Sequence, residues 1–152
     1  MRMVSMKEVE LAVDEAKDML RDSGIDLDVT ADQLWDWFET DLPVPDIGLG
    51  EVVINPLLVV HELVEIDEVL KMGLAITKDV IMRNPEKVDD AHLVAAKVEL
   101  LVARNVGASE HIKERITHIE KWASDKTLSE SRKAEYRRLL ADAKDALSKI
   151  HQ

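Results

Sequence analysis

The stretch from Pro56 to Met72, PLLVVHELVEIDEVLKM, is apolar nearly all round, and this limits what the chain can fold into more than any other feature. On a wheel at about 100° per residue, Val59, Leu63, Ile66 and Leu70 centre one arc. Leu57, Leu58, Val60, Val64, Val69 and Met72 widen it on both edges until only a narrow polar row of His61, Glu65 and Glu68 is left. A helix with this pattern cannot lie on a surface, so other helices have to wrap it. Nor can it span a bilayer, because no run in the chain approaches the roughly 18 to 20 apolar residues required. The first residues, Met1 to Lys7, lack an apolar stretch followed by a cleavage site, so a soluble, cytoplasmic protein is expected.

Helical spacing and punctuation recur along the rest of the chain. Met6, Val9, Val13, Ala16 and Leu20 predict a helix over 5–22 that stops near Gly24. Thr30 followed by Gln33 is a capping-box pattern ahead of Leu34, Trp35, Trp37 and Phe38, which predicts a short helix over 31–40. Pro43, Pro45, Gly48 and Gly50 make an extended connector over 41–54, with Glu51 to Ile54 the only stretch fit for a strand. Asn55-Pro56 and Asn84-Pro85 each put a capping residue before a proline at the first helical position, so helices should start at both and end near Gly73 and Gly107. A turn or two within 77–83, a helix from Ser109 to about Ser124 and a last one from about Thr127 complete the pattern. Leu139, Ala143, Leu147 and Ile150 form the last helix's stripe. The expected fold is all-α, a single-domain helical bundle of five to seven helices over 1–152.

The 152 residues are 46% hydrophobic, enough for one ordinary core. With no cysteine, disulfides, thiolate metal sites and cysteine nucleophiles are excluded. Few side-chain amides beside many Glu and Lys is the thermophile pattern. Charge is segregated: no Lys or Arg lies between Arg21 and Lys71, a stretch with thirteen carboxylates, while the whole chain carries −11. Such an excess opposes nucleic-acid binding, so the basic set Arg132, Lys133, Arg137 and Arg138 around Tyr136 is expected to face water or to dock on the acidic block.

The polar row of the 56–72 helix is where chemistry is expected. In the 85–106 helix, Glu86, Asp90, Lys97 and Arg104 mark the outer face, whereas His92 and Glu99 lie well away from it, edged by Val88, Ala95, Ala96, Leu100 and Ala103. Buried imidazoles and carboxylates are costly unless hydrogen-bonded, paired or metal-bound. If the two helices are antiparallel neighbours, Glu65 is roughly level with His92, Glu68 with Asp89, and His61 with Ala96 near Glu99. Metal ligands His61, Glu65 and His92 would suit Zn²⁺, Mn²⁺, Fe²⁺, Ni²⁺ or Mg²⁺, with Glu68 or Glu99 as general base if the site is catalytic. No organic cofactor is indicated. The alternative is structural: His61 and His92 pair with Glu99, Glu65 or a backbone carbonyl in the core, or the row faces a symmetry mate.

Two local resemblances bear on the chemistry. Leu58-Val59-Val60-His61-Glu62-Leu63 resembles the His-Asp step of HD-domain metal phosphohydrolases with Glu in place of Asp, but the histidine which that family carries on an earlier helix is missing. Glu62-x-x-Glu65 with Glu86-x-x-Asp89 resembles the paired carboxylates of MazG-like nucleotide pyrophosphatases, which bind Mg²⁺, although here the second pair follows Pro85 on an outward face. The sequence therefore points to a small helical protein with a divalent-metal site, whose activity would be hydrolysis of a phosphoester or nucleotide. Its rival is a non-catalytic interaction module. A homodimer is expected from the apolar flanks of the 56–72 helix and from Trp35 and Trp37. His111, Glu114 and His118 are expected on a partly exposed flank beside Ile112, Ile116, Ile119 and Ala123.

Overall fold

A computed structural model describes residues 3–42 and 47–150, and among these all regular structure is helical. Pro43 and Pro45 of the expected connector lie outside the described residues. The chain forms α1 (Met6–Asp22), α2 (Ala31–Phe38), α3 (Leu49–Val52), α4 (Pro56–Lys71), α5 (Val80–Arg83), α6 (Pro85–Asn105), α7 (Ser109–Ala123) and α8 (Glu130–Ile150). By its contacts the chain groups into two compact units, Met1–Val98 and Glu99–Gln152.

The helix boundaries follow from local chemistry. Ser5 with Glu8 and Thr30 with Gln33 close reciprocal capping boxes on α1 and α2. Asn55 caps α4 by accepting from the Leu57 N–H, with Pro56 at the first position. Asn84 behaves differently from its twin: its side-chain amide donates to the Val80 carbonyl of the preceding turn, at 2.9 Å. Gly24 and Gly73 end α1 and α4 at φ of 82° and 85°, a region costly for other residues. In each case the next N–H reaches back to close the turn, Ile25 to the Leu20 carbonyl and Leu74 to that of Val69.

In the first unit α4 packs against α1, α2 and α3. Val59, Leu63 and Ile66 are fully buried, with Leu57, Val60, Val64 and Val69 also in the core. Trp37 is buried too, and its indole N–H donates to Glu62 at 3.1 Å, fixing α2 on α4, while Trp35 is half-buried. Of the apolar flanks of α4, Leu57, Val60, Val64 and Val69 are buried, while Leu58 and Met72 are half-buried. The connector is not extended throughout, since Gly48 caps the single turn α3 and Val52 and Glu51 both donate to its carbonyl. The one stretch fit for a strand, 51–54, forms none, in keeping with the all-α expectation: a lone strand has no partner for its backbone, whereas the helical turn α3 satisfies such groups and buries Val52.

In the second unit α7 packs on α8. Its buried side chains include Leu100, Ile112, Ile119, Tyr136, Leu139, Ala143 and Ala146. The stripe of α8 therefore runs through Tyr136 and Ala146, with Leu147 and Ile150 only half-buried. α8 starts later than expected because Asp125 accepts from the Thr127 N–H and hydroxyl, holding a turn, and Ser129 then caps by accepting from the Arg132 N–H at 3.1 Å.

Candidate metal centre

His61 and Glu65 stand one turn apart on α4, which the surrounding core forces inward. His61 is 4% exposed and Glu65 is 7% exposed, and His92 on α6 is half-buried. His61 Nε2 lies 3.4 Å from Glu65 Oε2 and 3.2 Å from His92 Nδ1. The imidazoles meet edge to face, with centroids 4.8 Å apart and planes at 62°. One donor atom from each of His61, Glu65 and His92 falls within 4.8 Å of the others, the set expected from the wheel.

This geometry suits a cation. An ion holding its ligands at about 2.0–2.2 Å in a tetrahedron separates them by about 3.3–3.6 Å, and the two closest separations, 3.2 and 3.4 Å, are of that size. The i, i+4 spacing on α4 supplies two ligands from one rigid element, and α6 supplies the third. Burial acts to raise the Glu65 carboxyl, but the hydrogen bond with His61 and the electrostatic influence of His61 and His92 outweigh it, so the group is held below its ordinary value of 4.5. Glu65 is therefore anionic at neutral pH, as a ligand must be.

The remaining expected site residues are placed differently. Glu68 is half-buried one turn beyond Glu65, with Lys71 Nζ 3.9 Å from its carboxylate. Glu99 belongs to the second unit and is fully buried there. His111 Nε2 and Arg115 Nε donate to its Oε2 at 2.6 and 2.9 Å. Arg115 also donates to His118 Nδ1 at 3.2 Å and places its guanidinium 5.2 Å from the centre of the Trp122 ring. The trio on α7 forms the partly exposed flank expected, with Glu114 exposed and His111 and His118 half-buried, and its His111 side chain, 10% exposed, is turned to Glu99. The sequence held the signal for this arrangement, because a buried Glu99 needs a cation and His111 and Arg115 are one turn apart on the next helix.

No protein-family model matches the chain, and neither does any curated protein or any solved structure.

Proposed function

We propose that His61, Glu65 and His92 bind one divalent transition-metal ion. The observation that carries this is the convergence of three donor atoms within 4.8 Å, two of them from side chains that the core encloses. Two imidazoles and one carboxylate suit Zn²⁺ and Fe²⁺ best, Mn²⁺ and Ni²⁺ less well, and Mg²⁺ poorly, since Mg²⁺ prefers oxygen donors. With three protein ligands such an ion would keep a coordination position open and would supply activated water, so hydrolysis is the reaction class to test first. Glu68, on the same side of α4 and less buried than Glu65, is the carboxylate suited to act as general base.

Elemental analysis of untagged protein, with thermal shifts across Zn²⁺, Fe²⁺, Mn²⁺, Ni²⁺ and Mg²⁺, tests the proposal. Bound metal near one equivalent and a melting temperature that rises with Zn²⁺ and falls with chelator are expected. A blank in both experiments overturns it.

A further inference from the structure

We infer that the open position of this site admits neutral and cationic ligands and turns away anionic ones such as phosphoesters, and that the acidic surface of the same unit draws the dication in. The inference rests on the metal proposal above. It starts from charge. Residues 1–98 hold twenty-two carboxylates against nine Lys and Arg, a net −13, and a bound dication leaves the unit strongly negative. Asp26, Asp28, Asp32, Asp36 and Glu39 are all exposed on α2 and the segments beside it. Among the described residues, the one ion pair of these five joins Arg21 to Asp26, at 3.8 Å and open to solvent.

Recognition of a phosphoryl group depends on guanidinium or ammonium groups aimed at its oxygens. The ligand-bearing helices offer no buried one: Lys71 on α4 and Lys87 and Lys97 on α6 are exposed, Lys71 is drawn to Asp67 at 2.8 Å, and the half-buried Arg104 sits in the last turn of α6, about three turns beyond His92. A unit of this size has a radius of gyration of roughly 13 Å, and charges are screened over about 10 Å at 0.1 M salt. At 0.01 M salt, where screening reaches about 30 Å, most of the net negative charge acts on anything that approaches, whereas at 0.1 M salt only the nearest carboxylates do. A field of this kind concentrates ions of opposite sign and speeds their capture by about 10 to 10³-fold, while repelling ions of like sign. The substrates that remain are neutral or cationic small molecules, such as esters or amides.

Co²⁺ is the probe, because its visible absorption reports both binding and a change of ligand. Stopped-flow uptake into untagged, metal-free protein should slow at least about tenfold as salt is raised from low to high concentration. The quadruple variant Asp26→Asn, Asp28→Asn, Asp32→Asn, Asp36→Asn should take Co²⁺ up more slowly and with a flatter salt dependence, while its release rate stays unchanged. In the loaded wild-type protein, imidazole at alkaline pH should shift the spectrum and inorganic phosphate at equal concentration should not, a comparison that needs no variant to fold. Phosphate entering as readily as imidazole, or uptake indifferent to salt, overturns the inference and leaves the metal proposal standing. Absence of Co²⁺ binding, or binding unchanged by His92→Ala, removes the metal proposal and this inference with it.

Discussion

Glu65 and Glu99 are the two buried carboxylates among the described residues, one in each unit, and they are compensated in opposite ways. Glu99 is met by an arginine, whose charge is permanent, and by the N–H of His111 on the same oxygen. Among the described residues, Glu65 is met by the imidazoles of His61 and His92, and imidazole compensates a carboxylate either by taking up a proton or by sharing a cation through its lone pair. The first arrangement is closed, with its countercharge built into the chain. The second depends on what the solution supplies. Burial of charge alone thus does not mark a functional site; the informative question is whether the countercharge is covalently present.

That contrast can be broken most forcefully at Arg115. Its removal in Arg115→Met leaves Glu99 buried without its permanent cation and should cost about 3–5 kcal/mol in denaturant melts, with no recovery on adding Zn²⁺. Recovery by metal would mean that the two carboxylates are alike after all. Next in size is the response of the other cluster: Zn²⁺ at about 100 times its dissociation constant should stabilise the wild-type protein by about 2.7 kcal/mol. Calorimetry should find that increment missing in His92→Ala.

In metal-free protein His92→Ala should cost about 1–3 kcal/mol, less than the arginine change, because Glu65 keeps His61 at 3.4 Å. A cost near zero would show that His92 does not contribute to the cluster. The subtlest difference is in acid. Since the Glu65 carboxyl sits below 4.5 when folded, the unfolded chain binds its proton more tightly. The stability it contributes is complete above that pH and is lost as pH falls through the lowered folded value. Acid melts of Glu65→Gln should accordingly be less steep below pH 4.5 than those of the wild type; identical slopes would deny Glu65 its lowered affinity for protons.

Much of this was legible in the sequence because it depends on local periodicity. The wheel of α4 separates His61 and Glu65 from ordinary surface residues, since a helix apolar on nearly every side has no solvated face to give them. Helix ends at Gly24 and Gly73 were equally plain, because positive φ singles out glycine. The wheel shows which face is buried and not which neighbour covers it. Glu99 was rightly placed inside, but its partners lie on α7, across the Gly107 turn, and periodicity carries no distance between helices. The short α3 was missed for a related reason: one turn of four residues is too brief to show a period, and Gly48 and Gly50 read as breakers when Gly48 is in fact the cap.

The most direct test of the account is the stoichiometry of Zn²⁺ binding by equilibrium dialysis, compared among wild type, His92→Ala and Arg115→Met. One ion per chain is expected in the wild type, none tightly held in His92→Ala, and one again in Arg115→Met under conditions where that variant stays folded. Binding that His92→Ala leaves intact, or no binding in the wild type, would contradict the claim that His61, Glu65 and His92 form a cation site.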